Sequence, residues 1–97
     1  MRKNFYELTV IFTPVLKDKG LTSAVASVEK LIKKYKGKVL EFEDEGKHKF
    51  SYPIQKYSEG IYLFWTLEMD RSQANQFEIE LKLMKGVLRH MLVVARD

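Results

Sequence analysis

Apolar and polar residues alternate over residues 5–12, where Tyr6, Leu8, Val10 and Phe12 recur at a period of two. That is the spacing of a strand with one buried face. Pro14 lacks the ladder N–H and restricts Thr13, so the strand is predicted to stop there, with Lys17-Asp18-Lys19-Gly20 continuing as a loop. From Ala24 the period changes. Val25, Val28, Leu31, Ile32 and Tyr35 are spaced by three and four, which predicts an amphipathic helix with Thr22 or Ser23 as N-cap and Gly37 as the left-handed residue after its last turn. Lys30, Lys33, Lys34 and Lys36 form the other side, read as a plain solvated face whose cations also suit the helix dipole.

Residues 38–42 read as a second strand that runs into the charged stretch 41–49 and resumes at Phe50-Ser51-Tyr52 before Pro53, without a continuous ladder. Gly46 predicts a bulge or bend, and dense charge of both signs protects an edge strand from unwanted pairing. Ser58-Glu59-Gly60 is the next turn signal. Residues 61–69 then place Leu63, Trp65, Leu67 and Met69 on one face and Tyr62, Phe64, Thr66 and Glu68 on the other. Asp70 or Ser72 caps a second helix with a core stripe of Ala74, Phe77 and Leu81, Gly86 stops it, and residues 87–95 form a nearly unbroken apolar strand.

The resulting order, β-α-β-β-α-β, is the α+β ferredoxin-like split βαβ arrangement: a four-stranded antiparallel sheet with two helices on one face. Residues 1–97 are expected to form a single domain. Phe5, Ile11, Tyr62 and Phe64 then point away from the helices. The last strand is apolar in both phases, which implies cover on both sides, and an open apolar sheet face marks an interaction surface.

Composition narrows the chemistry. The absence of cysteine excludes a disulfide framework, thiol catalysis, an Fe–S cluster and a thiolate zinc site. No apolar run nears the ~20 residues that cross a bilayer, and the start does not resemble a signal peptide, so a soluble, cytoplasmic protein without a membrane partner is expected. His48 and His90 lack spaced metal-ligand partners. The acidic run Glu41, Glu43, Asp44 and Glu45 lacks calcium-loop spacing, and no nucleophile elbow or phosphate-cradling loop is present. No catalytic residue, metal, cofactor or small-molecule substrate is therefore expected; this is not an enzyme.

Seventeen Lys and Arg against thirteen Asp and Glu give a net charge of +4, which favours a polyanionic partner. Arg2 and Lys3 precede the first strand, Lys47 and Lys49 lie in the second, Arg89 begins the fourth and Arg96 ends it. First and fourth strands are neighbours in this topology, so Arg2, Lys3, Arg89 and Arg96 are expected near one another at the sheet's edge regions, contacting phosphates, with Tyr52 or Phe5 as a stacking ring. The same charges read equally as scattered solubilising groups. Arg89 has a competing role as ion-pair partner of Glu7, and Tyr62 and Phe64 serve either protein docking or sheet packing; Phe5 and Met91 join them as candidates for a protein partner.

Taken together, Tyr6-Glu7-Leu8 with Pro14, the segment Gly46-Lys47-His48-Lys49-Phe50-Ser51-Tyr52-Pro53-Ile54, Gly60-Ile61-Tyr62 and Val87-Leu88-Arg89-His90-Met91 resemble the ribosomal protein six family of the bacterial small subunit, over essentially the whole chain. The resemblance implies a structural constituent of the small ribosomal subunit that binds 16S ribosomal RNA together with ribosomal protein eighteen during assembly of the platform. It also carries Arg89 into the RNA-binding set. The chain departs from the family at Glu45, where an aromatic usually precedes the hairpin glycine, and it stops at Asp97, so contacts through a charged tail are not expected. Three other classes share the strand and helix order. An RNA-recognition motif needs a basic-Gly-aromatic-Gly-aromatic third strand, which Glu59-Gly60-Ile61-Tyr62 does not supply. An acylphosphatase needs an arginine-bearing phosphate loop, absent from Thr13-Pro14-Val15-Leu16. A sensor homodimer paired through the open face remains compatible with the pattern.

Overall fold

The computed structural model describes residues 3–95. Its elements are β1 (Lys3–Phe12), α1 (Lys19–Lys34), β2 (Lys38–Ile54), β3 (Tyr57–Asp70), α2 (Arg71–Lys82) and β4 (Val87–Val94). The strands form one antiparallel sheet in the order β2-β3-β1-β4. Both helices lie on one side. Tyr6, Leu8, Val10 and Phe12 of β1 and Ile61, Leu63, Trp65, Leu67 and Met69 of β3 pack there against Val28, Leu31 and Ile32 of α1 and Phe77 and Leu81 of α2. The period-two alternation thus sets the sheet faces as expected. Removing a ring as deeply buried as Phe77 costs about 3–5 kcal/mol.

Polar groups at the core margin find partners. The Trp65 Nε1–H donates to Glu29 Oε2 at 2.9 Å, and Asp70, the N-cap of α2, accepts from the Ser72 backbone N–H at 2.9 Å. His90 Nε2 donates to Glu78 Oε2 at 3.1 Å, so this histidine ties β4 to α2. On the rim between the helices, Lys34 Nζ and the Tyr35 hydroxyl both donate to Glu80, at 2.7 and 2.5 Å.

Several boundaries differ from the sequence expectation. Helix α1 begins at Lys19, so Lys19 and Gly20 are helical, and its N-cap is Asp18, not Thr22 or Ser23; Leu21 packs against the core and draws this weak helix-forming stretch into the first turn. The left-handed residue after α1 is Lys36 (φ 61°). Gly37 is needed for space: a Cβ there would lie 2.7 Å from Ile32 Cγ2 and 2.8 Å from Met69 Cε. Strand β2 is continuous over 17 residues, its ladder to β3 interrupted by register shifts, one of them at Asp44/Gly46. Gly46 is therefore a bulge on an edge strand, as its sequence context predicts.

The β2–β3 turn is Gln55-Lys56, both at positive φ (48° and 76°), between the paired residues Ile54 and Tyr57. This two-residue mirror-image turn normally uses Asn-Gly. Here the long ladder on either side imposes it, and Ser58-Glu59-Gly60 lies inside β3. Gly60 marks close packing: a Cβ would sit 2.6 Å from Ile11 Cγ2, 2.7 Å from Phe50 Cζ and 3.1 Å from the Phe12 carbonyl.

Gly60→Ala is accordingly expected to destabilise the fold by about 1–3 kcal/mol, read as a lower urea midpoint at unchanged slope. The Lys34–Tyr35–Glu80 trio predicts a pH effect. Hydrogen bonds from Lys34 and then Tyr35 hold the Glu80 carboxyl below its ordinary 4.5. A lowered native value stabilises the fold above the ordinary carboxylate range and loses that contribution as acid protonates Glu80. Glu80→Gln should flatten the acid limb of the urea midpoint below pH 4.5, modestly and less so in high salt, because the trio is exposed.

Candidate nucleic-acid and protein interface

The uncovered side of the sheet is built from the alternate residues. Strand pairing lines them up in rows across it. Glu41, Thr66, Glu7 and Val93 form one row, Glu43, Phe64, Thr9 and Met91 the next, and Gly46, Tyr62, Ile11 and Arg89 the third. At ~4.8 Å per strand the face is about 14 Å wide. Phe5, Tyr62, Phe64 and Met91, the four residues expected to meet a protein partner, all lie on it, with Met91 58% exposed.

The rows differ in chemistry. At the end reached by the β2–β3 arm, rings cluster: His48 and Phe50 lie 5.3 and 6.2 Å from Tyr62, and Tyr62 lies 6.5 Å from Phe64. The arm folds over toward the start of β4, where Gln55 Nε2 donates to the Leu88 carbonyl at 3.4 Å. Between arm and sheet is a recess of about 210 Å³ lined by Ile11, Tyr62 and Arg89 of the sheet and by residues 49–52 and Ile54 of the arm. Tyr52 is 63% exposed beside it. The recess therefore joins a guanidinium, a lysine-bearing strand and accessible rings, the residue types that hold a phosphate and stack a base. Toward the other end the face turns acidic on its β1–β2 side, through Glu7, Glu41 and Glu43, and apolar on β4, through Met91 and the exposed Val93.

Strand direction separates Lys3 from Arg89, which were expected together. Arg89 stands opposite Ile11 in β1, eight residues along the strand from Lys3, or roughly 26 Å at ~3.3 Å per residue. The start of β1 and the start of β4 are at opposite ends of the sheet because the two strands run antiparallel. Arg2 and Arg96 lie outside the described residues. Lys47 pairs with Ile61, a helix-side position, so its register places it on the other face from Arg89; Lys49, opposite Glu59 in the same unbroken register, shares that parity, but the strand segment it belongs to walls the recess. The alternative ion pair between Arg89 and Glu7 is not formed: Glu7 stands opposite Val93, four residues from Arg89 along β4. Among the described residues Arg89 has no ion-pair partner.

The residues least visible in the sequence are Phe50 and Ile54, whose place on the arm depends on the unforeseen turn at Gln55-Lys56, and Glu7, Glu41 and Glu43. Their shared face follows from parity with Phe64 and Thr66 once the ladder is continuous.

A model of the family described as ribosomal protein S6 matches residues 5–94. The chain belongs to the ribosomal protein S6 family. Small ribosomal subunit protein bS6 of Limosilactobacillus reuteri is 32% identical over 94 residues, covering 96% of each chain, and that of Lactobacillus acidophilus is 35% identical over 89 residues, covering 91% of each. The crystal structure of 30S ribosomal protein S6 from Thermotoga maritima matches with a TM-score of 0.89 at 25% identity, over 97% of this chain and 89% of that one. This S6-family member is thus a structural protein of the small ribosomal subunit and not an enzyme, which sets aside the acylphosphatase and sensor classes. No helix among the described residues is long and apolar enough to cross a membrane.

Among the described residues Arg89 has neither an ion pair nor a side-chain hydrogen bond. Arg89→Ala should therefore change folding stability by less than about 0.5 kcal/mol, measured by urea unfolding, in contrast to Gly60→Ala.

Proposed function

We propose that this S6-family protein binds 16S ribosomal RNA through the Arg89 end of its open sheet face and docks ribosomal protein eighteen on the rest of that face. The supporting observation is the division of one continuous surface into a basic, aromatic recess and an acidic, apolar field. Phosphates approach the first readily and are repelled from the second by Glu7, Glu41 and Glu43. A protein bringing basic and apolar side chains suits the second, where Phe5, Phe64, Met91 and Val93 supply burial and the carboxylates supply charge pairing.

In this reading Arg89 and Lys49 neutralise phosphates and release counterions, while Tyr52 and Tyr62 offer rings to a base. Lys47 and Lys3 are assigned to RNA more peripherally, the first through its position on the arm and the second at the far end of the β1–β4 pair; Arg2 and Arg96, outside the described residues, are assigned with them from the sequence alone. Two modest surfaces side by side favour joint binding: each partner raises the effective concentration of the other, and the complex forms only in the one geometry that satisfies both. The subunit needs no reaction from this component, only that arrangement.

Arg89→Ala should weaken binding to a 16S platform fragment in the presence of protein eighteen and lower the slope of log affinity against log salt by about one unit, measured by filter binding over a salt series. An unchanged slope removes Arg89 from the phosphate set. Lys33→Glu with Lys34→Glu, on the helix side, should leave that slope as it is; a loss equal to that of Arg89→Ala would mean that RNA meets the helices instead. Tight, specific RNA binding without protein eighteen would contradict the shared mode.

A further inference from the structure

A large cavity lies on the helix side, away from the surface assigned above. It is an open groove of about 1030 Å³ between α1, the loop after β1 and the turn from α2 to β4. Its floor is apolar, with Leu16, Ala24, Leu31 and Met84. Its rim is cationic, with Lys30, Lys33, Lys34 and Lys85, and none of the described residues lining it is acidic. Lys34 is engaged by Glu80 at one end, while the other three have no ion-pair partner among the described residues. The helix face that sequence periodicity marks as plainly solvated is therefore one wall of a charged, apolar-floored trough.

We propose that this groove seats an acidic amphipathic helix of a second protein partner. The rim sets the charge: a ligand whose apolar stripe meets the floor must carry acids on both flanks to reach the lysines. The wall sets the shape. From Gly20 to Leu31, α1 lines the groove with residues three and four apart, a straight run of about 16 Å at ~1.5 Å per residue. Serine, glycine and alanine dominate it, leaving room for a helix at the ~8–10 Å axis separation of ordinary packing. A third helix would then lie beside α1 on the same side of the sheet.

Other occupants fit less well. Among the described residues no aromatic lines the groove, so RNA would find lysines and a few hydroxyls but no ring to stack on. A second copy of this chain presenting the same helix would bring lysines against lysines. The proposal does not depend on the RNA and protein-eighteen reading, since the two surfaces lie on opposite sides of the sheet.

The test uses the full chain and a fluorescein-labelled amphipathic peptide of about five helical turns, with leucines on one face and glutamates on both flanks, followed by anisotropy at low salt. Saturable binding is expected, weakened about tenfold or more by Lys30→Glu with Lys85→Glu through reversal of the rim. Ser27→Tyr, at an exposed position, should weaken it comparably by filling the trough, and Arg89→Ala should leave it unchanged. Equal binding of a composition-matched peptide with its leucines scattered would overturn the proposal, because charge alone would then suffice. So would unchanged affinity in the charge-reversed variant, absence of saturable binding, or displacement of the peptide from the Arg89→Ala protein by a short uridine-rich RNA.

Discussion

Two helices can cover only one side of a four-stranded sheet, and nearly everything distinctive about this molecule follows from how the other side is managed. The covered side is ordinary: β1 and β3 turn their long apolar residues inward, and Trp65, Phe12 and Phe77 fill the space under α1 and α2. The uncovered side cannot be wholly polar, because central strands need β-favouring residues in both phases to hold the ladder. Ile11, Tyr62 and Phe64 meet that need and are shielded by their row neighbours and by the folded arm. Met91 and Val93, on the edge strand β4, have no such cover. The two edges are also unequal. β2 is bulged and heavily charged, whereas β4 carries a single cation at Arg89 and is otherwise apolar or tied down through His90. Exposed apolar surface is thus concentrated on the β4 half of the face, which fits a protein that works inside a larger particle.

The antiparallel run of β1 against β4 decides what kind of surface this becomes. Had the strands started at the same end, Lys3 and Arg89 would lie at the same end of the sheet. Instead Arg89 is carried to the end where the β2–β3 arm closes over the sheet, next to Tyr62, Phe50 and Tyr52, and the carboxylates of Glu7, Glu41 and Glu43 occupy the middle. Charge of opposite sign is thereby sorted along one face within a few strand residues. The same placement deprives Arg89 of Glu7 as a partner and leaves its guanidinium without an ion pair among the described residues.

Much of this was legible in the sequence, and the exceptions have physical causes. Period-two alternation set the two faces of β1 and β3, the three-four spacing of Val28, Leu31 and Ile32 set the buried side of α1, and Asp70 was readable as a cap. What failed depended on context that no local pattern carries. Gln55-Lys56 has no intrinsic preference for positive φ and adopts it because paired strands on both sides leave no other closure. Gly60 looked like a turn residue and is instead a gap left for Ile11 and Phe50. The proximity expected for Lys3 and Arg89 took adjacent strands to bring their starts together, whereas antiparallel strands start at opposite ends. The lysines of α1 are exposed, as their spacing implies, but that Leu16 and Met84 lie beside them is tertiary and no local pattern carries it.

The central claim is that one sheet face holds two adjoining surfaces of different chemistry, one for RNA and one for a protein. The most direct measurement is a map of backbone amide shifts in the isotope-labelled chain, titrated first with ribosomal protein eighteen and then with a 16S platform fragment. The account predicts that the protein perturbs residues around Phe5, Glu7, Met91 and Val93, and that RNA then adds perturbations at Phe50, Tyr52, Tyr62 and Arg89. RNA-induced shifts confined to α1 and α2, or a protein-eighteen footprint that leaves the open face untouched, would contradict it.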